Sequence, residues 1–181
     1  MVATRYLSRF SKLLRAILVH SDKETITLKE ELEILNLYVE LESIRFKGTF
    51  QYKITCDESI DTDEVKVPTL LIQPFVENAI WHGLMHKEGD RELLISFTEK
   101  EEWLYCVVED NGVGRHKAKE IKGISPNGST HQSKGIAVST ERLKAMKNKT
   151  GSEGSIGFTD LEDAAGNAAG TRVAINFPIQ T

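Results

Sequence analysis

The feature that most constrains this chain is a change of hydrophobic period at Lys47-Gly48, from helical spacing before it to alternation after it. Over residues 6–20 the apolar side chains Tyr6, Phe10, Leu13, Leu14, Ile17 and Leu18 recur on one helical face, with Arg5, Arg9, Lys12 and Arg15 opposite. A polar turn then leads to Thr27-Leu28-Lys29-Glu30, a capping box in which the Thr hydroxyl and the Glu carboxylate satisfy each other's backbone amides. The second helix runs to about Phe46. Its stripe of Leu28, Leu32, Leu35, Val39 and Glu42, flanked by Ile34, Tyr38 and Leu41, is close to a heptad. That pattern fits a helical hairpin or a dimer seam, and it fits equally a helix packed on its own globular domain. Beyond Gly48, Phe50, Tyr52, Ile54 and Cys56 alternate as a half-buried strand requires. The expected division is therefore a helical segment over 1–47 and a mixed domain over 48–181.

Past an acidic connector at 57–64, residues 69–84 read as one helix with Pro74 near its start, where a missing amide is tolerated. Residues 94–97 and 103–108 read as a hairpin. The stretch 112–135 is almost wholly polar and Gly-rich, and a loop of that length in a compact domain is usually functional. Helical spacing returns over 136–147 through Val138, Leu143 and Met146, and strands near 155–161 and 173–177 follow. Strands and helices in this arrangement predict an α+β fold.

The length of 181 residues suits one domain plus an appended element. With 23 Lys and Arg against 27 Asp and Glu, the net charge of -4 supplies no general attraction to nucleic acid or an anionic membrane, so no nucleic-acid partner is expected. Cys56 and Cys106 have neither disulfide nor metal-ligand spacing, which fits a reducing compartment. No apolar run approaches the roughly 20 residues that span a bilayer, and no signal peptide opens the chain. An amphipathic helix begins almost at once, as expected of a fragment given a new start at Met1.

Four elements carry chemistry. In Glu77-Asn78-Ala79-Ile80-Trp81-His82-Gly83, Asn78 and His82 are four apart and share a helical face, where an amide oxygen suits magnesium and an imidazole can donate to phosphate. In Asp110-Asn111-Gly112-Val113-Gly114, a carboxylate at a strand end can accept from an exocyclic amine beside glycines that admit a ligand closely. Lys134-Gly135-Ile136 opens a helix whose free amides attract phosphate oxygens. Gly170-Thr171 precedes the closing strand. Each of these has an ordinary reading when taken alone: a helix cap, hairpin punctuation, a helix start, a turn.

Their order is more specific: it resembles the N, G1 and G2 boxes of the GHKL ATP-binding superfamily. Within it, the run from Pro68 to Gly83, with Leu13-Leu14-Arg15, residues 28–33 and Glu40-Leu41-Glu42-Ser43-Ile44-Arg45-Phe46, looks like the LytS/YehU-like sensor histidine kinases. The resemblance implies a two-layer α/β sandwich, the Bergerat fold, with a mixed, mostly antiparallel sheet covered by helices and an N-terminal helical hairpin before it. On that pattern residues 1–47 are the end of the dimerisation and phosphoacceptor region, and 48–181 are the catalytic domain.

The resemblance also implies a function. The cofactors are ATP and Mg2+, and the γ-phosphoryl goes to a histidine for relay to a response regulator, in a homodimeric kinase of which this is the cytoplasmic portion of an inner-membrane sensor. Asn78 is then the metal ligand, and Asp110, Gly112 and Gly114 form the adenine side with Thr171 in support. His82, Lys134, Gly135 and Ile136 line the phosphate side, and Glu77 orients or abstracts a proton. Two departures stand out. Ala137 occupies a position where the family often has Gly, and the phosphoacceptor box is missing, so autophosphorylation by this segment is not expected. His20, His86, His116 and His131 read as surface residues. The competing readings are a GHKL ATPase with Glu77 activating water, and an interaction module whose nucleotide site has decayed.

Overall fold

A computed structural model describes residues 2–123, 134–146 and 151–179. Helices α1 (Val2–His20) and α2 (Leu28–Arg45) form an antiparallel hairpin. Arg5 and Arg9 reach Glu40 at 2.9 and 3.0 Å at one end, and His20 lies 3.8 Å from Glu30 at the other. The capping box forms: the Glu30 amide donates to Thr27 Oγ1 at 3.2 Å and the Thr27 amide to Glu30 Oε2 at 2.8 Å. It satisfies two of the amides that a helix start leaves unpaired.

The two helices differ in what they bury. On α2, Leu28, Ile34, Leu35 and Val39 join the same hydrophobic core as the strands beyond Gly48, so the core runs continuously across residue 47. At about 1.5–3 kcal/mol for each such side chain removed from water, this attachment is strong. The expected stripe holds at Leu28, Leu35, Val39 and Glu42 and at the flanking Ile34, Tyr38 and Leu41, all buried; the differences are Leu32, which is only partly buried, and Glu31, which is wholly buried. On α1, Leu13 is buried against the hairpin, but Leu7, Phe10, Leu14 and Leu18 remain exposed.

The main sheet contains β2 (Gln51–Cys56), β4 (Glu92–Lys100), β5 (Trp103–Asp110), β6 (Ser155–Glu162) and β7 (Ala168–Pro178) in the order β2-β4-β5-β7-β6. Strands β2 and β4 are parallel and the other pairs antiparallel. On β4, β5 and β7, Leu93, Ile95, Phe97, Leu104, Cys106, Val108, Val173, Ile175 and Phe177 face the helical layer, while Leu94 and Tyr105 lie on the open face. Alternation of this kind is what a sheet covered on one side requires. The α+β, two-layer expectation holds. A separate ribbon pairs β1 (Thr25–Thr27) with β3 (Lys66–Pro68), strands too short to leave a periodic trace in the sequence.

Several expectations need correction. Residues 69–84 are not one helix: Leu70 has φ 57°, α3 spans only Gln73–Asn78, and a π-turn (Ala79–Gly83) and a 3₁₀ turn (Leu84–His86) follow. An L-residue in that left-handed region costs about 1 kcal/mol, so the turn must be held by its surroundings. The polar stretch 112–135 contains a helix, α4 (Arg115–Gly123), and its centre, with His131, lies outside the described residues. On α5 (Lys134–Ala145) the buried face is Ile136, Ser139 and Leu143, whereas Val138 is exposed. His86 and His116 are exposed as expected, but His20 is buried, 8% exposed, at the α1–α2 junction.

Candidate functional site

Asp110 ends β5, where it stands opposite Leu93 of β4 and Thr171 of β7. Flanked by strands on both sides, the residue is 4% exposed. The Gly112 amide donates to Oδ1 at 2.8 Å, and the Thr171 backbone also hydrogen-bonds the carboxylate. Burial nevertheless pushes Asp110 up to about 7; the two amides and Lys87 oppose that rise and Glu109 adds to it.

Glycines make the room for this carboxylate. A Cβ at Gly83 would meet the Asp110 side chain, with Cγ only 2.8 Å away, and one at Gly112 would strike the Gly83 backbone. Gly170, at φ 135°, packs against the Asp110 and Asn111 backbone so tightly that a Cβ would lie 2.8 Å from Asn111 Cα. Gly114 turns the chain at φ 78°. The expected group of Asp110, Gly112, Gly114 and Thr171 therefore comes together. Gly83 and Lys87 are site neighbours that the sequence reading does not include, and Gly170 enters that reading only as part of the Gly170-Thr171 turn; the position of Gly83 at the end of the Asn78 segment is the available clue.

Asn78 is the last residue of α3 and half-buried. The π-turn after it widens the backbone to i→i+5 bonding, with the Leu84 amide donating to Ala79 O, and His82 lies within that turn. The turn after Asp110 is tied to the same element, since the Val113 amide donates to Gly83 O at 3.2 Å. Asn78 and Asp110 thus sit on two elements that meet at Gly83. Glu77 faces α2: its Oε1 accepts from Gln73 Nε2 at 2.8 Å, and its charge raises both Tyr38 and Glu42, where burial is the larger cause.

On the other flank, Gly135 lies against Pro74, where a Cβ would be 3.2 Å from the ring. The Ile136 side chain is in the core, so only its backbone is available to a ligand, and Lys134 is the first residue of α5. Arg115 anchors α4 to β6 through two bonds of 2.7 Å to Asp160, with its guanidinium 5.4 Å from the Phe158 ring centre. Among the described residues no group of three or more His, Cys, Asp or Glu is placed to hold a metal, and no helix is long and apolar enough to cross a membrane.

Comparison with known proteins gives a consistent picture. The family described as Histidine kinase matches residues 2–50. The Sensor protein LytS of Enterococcus faecalis is 28% identical over 179 residues, 98% of this chain and 29% of that protein. The Sensor histidine kinase/phosphatase LytS of Staphylococcus aureus is 35% identical over 118 residues, 65% of this chain and 20% of that protein. The chain thus spans less than a third of either relative. Among solved structures, the histidine kinase domain of the Erythrobacter litoralis EL346 blue-light activated histidine kinase aligns with a TM-score of 0.59 at 19% identity, covering 97% of this chain and 80% of that one. The mycobacterial sensor histidine kinase MprB aligns at 0.55 and 12% identity, covering 87% and 97%. At such identities these two establish the shared fold.

Proposed function

We propose that the chain is part of a LytS-like sensor histidine kinase and that its residues 48–181 bind Mg-ATP as the catalytic domain of that kinase, a reading supported by its similarity to the LytS proteins and by the family match over residues 2–50. The observation that carries this reading is the buried Asp110 carboxyl, enclosed by Gly83, Gly112, Gly170 and Thr171 at the end of a central strand. A carboxylate held by two backbone amides cannot swing away, and it offers a fixed acceptor to an adenine amino group. Gly112 and Gly114 let the backbone approach the base.

The half-buried Asn78 would hold the magnesium ion through its side-chain amide oxygen, a hard ligand of the kind that ion prefers. When bound, Mg-ATP supplies the phosphoryl group and the cation that offsets its charge. The protein's share is positioning. Asn78 orients the metal side, Asp110 and Thr171 fix the base, and the backbone at Lys134, Gly135 and Ile136, with His82, faces the phosphates. Glu77, fixed by Gln73, orients or accepts a proton from an incoming histidine. None of the histidines in this sequence is followed by Phe as in the phosphoacceptor box, so this segment should bind nucleotide without phosphorylating itself. Residues 1–47 are the end of the dimerisation and phosphoacceptor region of a homodimeric parent and its link to the catalytic domain. That parent passes its phosphoryl group to a response regulator and places this portion in the cytoplasm beneath an inner membrane.

Calorimetry tests the reading. The wild-type chain should bind Mg-ATP in the micromolar range and Asp110→Asn should bind it far more weakly. Absence of binding by the wild type, or equal affinity in the variant, would favour a decayed interaction module.

A further inference from the structure

The turn 69–72 that leads into α3 is held from two sides, and its backbone groups are divided between them. Its amides point to α2: Leu70 N–H donates to Glu31 Oε2 at 3.3 Å and Ile72 N–H to Glu31 Oε1 at 3.4 Å. Its carbonyls point to α5: Arg142 Nη1 donates to Thr69 O at 2.7 Å and Ser139 Oγ to Leu71 O at 3.3 Å. Arg142 also reaches Glu24 O at 3.1 Å, beside the start of β1. Between these grips sits Leu70, in the left-handed conformation that a leucine does not choose unaided.

Glu31 is the unexpected member of this set. It is 0% exposed on the buried face of α2, and Arg142 is the cation whose charge acts on it. Burial pushes its carboxyl up to about 7 in spite of the two amides and Arg142. A leucine or methionine would fill such a site without that cost, so a buried carboxylate here implies work on the groups it binds. What it binds is the entry to the helix that ends in Asn78. The opposite grip belongs to the helix whose first turn presses Gly135 on Pro74.

We propose that Glu31 is a positioning residue that, with Ser139 and Arg142, locks the turn 69–72 and so couples α2 mechanically to α3 and α5. Displacement of α2 then shifts Asn78 and the start of α5 together, while the adenine side around Asp110, built on β5 and β7, stays in place. The nucleotide arm of the test rests on the ATP-binding reading; the exchange arm does not.

The test compares the wild-type chain with Glu31→Gln, which keeps the volume but faces an amide group toward two donors. In the nucleotide-free protein, residue-resolved hydrogen exchange should rise about 10-fold or more at Leu70 and Ile72, and also along residues 136–145 of α5, while β4 and β5 remain unchanged. Unchanged exchange in α5 overturns the coupling. In calorimetry, Glu31→Gln should weaken Mg-ATP about 10-fold and adenosine less than about 2-fold, and adding Arg142→Ala should weaken Mg-ATP by less than the product of the single effects. Equal weakening of both ligands, or a lower melting temperature with unaltered affinities, would mark Glu31 as merely structural. If Glu31→Gln does not fold, Arg142→Ala reads the turn from its other edge, with faster exchange at Leu70 and Ile72 expected and its absence decisive against the proposal. Should the wild type bind no Mg-ATP, the functional reading falls and the exchange data alone decide the coupling.

Discussion

The Asp110 carboxylate occupies the space that a Cβ on Gly83 would take, so the end of the Asn78-bearing segment and the end of β5 are packed directly on one another. Gly83→Ala should therefore cost about 1–3 kcal/mol of stability, as overpacking of a buried site does. It should also weaken adenosine binding by moving the carboxylate. Chemical denaturation and calorimetry on the same preparation measure the two effects; a variant with wild-type stability and affinity would show that the contact relaxes freely.

Asp110 and Glu31, both held at about 7 by burial, give the protein a definite pH dependence. Their usual values lie near 4, so between about pH 4 and 7 the folded chain keeps protons that the unfolded chain has released. The stability they contribute is full below pH 4 and is lost as the pH rises through 7, at a slope of up to about 1.4 kcal/mol per pH unit for each group. Melting temperatures from pH 5 to 8 should fall less steeply in Asp110→Asn than in the wild type; parallel curves would contradict the assignment. Adenosine affinity should run the opposite way, rising with pH as the charged acceptor forms, and should be flat in the variant.

The exposed stripe of α1 bears on self-association. Leu7 and Leu18 are 62% and 70% exposed, so Leu7→Lys with Leu18→Lys should change stability by no more than about 0.5 kcal/mol per site. If the homodimer of the parent kinase extends through this face, sedimentation at increasing concentration should show the double variant shifted toward monomer. Identical sedimentation of both proteins would place the dimer contact elsewhere.

At the head of α2, the reciprocal bonds between Thr27 and Glu30 should make Thr27→Ala cost about 1 kcal/mol, a loss typical of a removed N-cap. Because β1 ends at Thr27, the same variant should loosen the β1–β3 ribbon, visible as faster exchange at Ile26 and Val67. A melting curve unchanged from the wild type would mean that water replaces the cap without loss.

Local chemistry was legible in the residues themselves. The capping box, the change of period at Gly48, the β4–β5 hairpin and the Asp110-to-Gly114 turn depend on neighbours close in the chain, where side-chain type and spacing dictate hydrogen bonding and burial. What only the tertiary structure decided involves groups far apart in the chain. Gly83 has meaning because Asp110 comes to rest on it, His20 is buried because α1 folds back on α2, and Glu31 lies in the core because the turn 69–72 presents two amides to it. The helix expected over 69–84 failed for the same reason. Its apolar residues satisfy helical spacing, but contacts from α2 and α5 hold Leu70 left-handed, and the close packing at Gly83 accompanies a widened turn after Asn78. Periodicity reports which side of a segment is buried; it does not report the partner, and in this protein the partners determine where the candidate site residues stand.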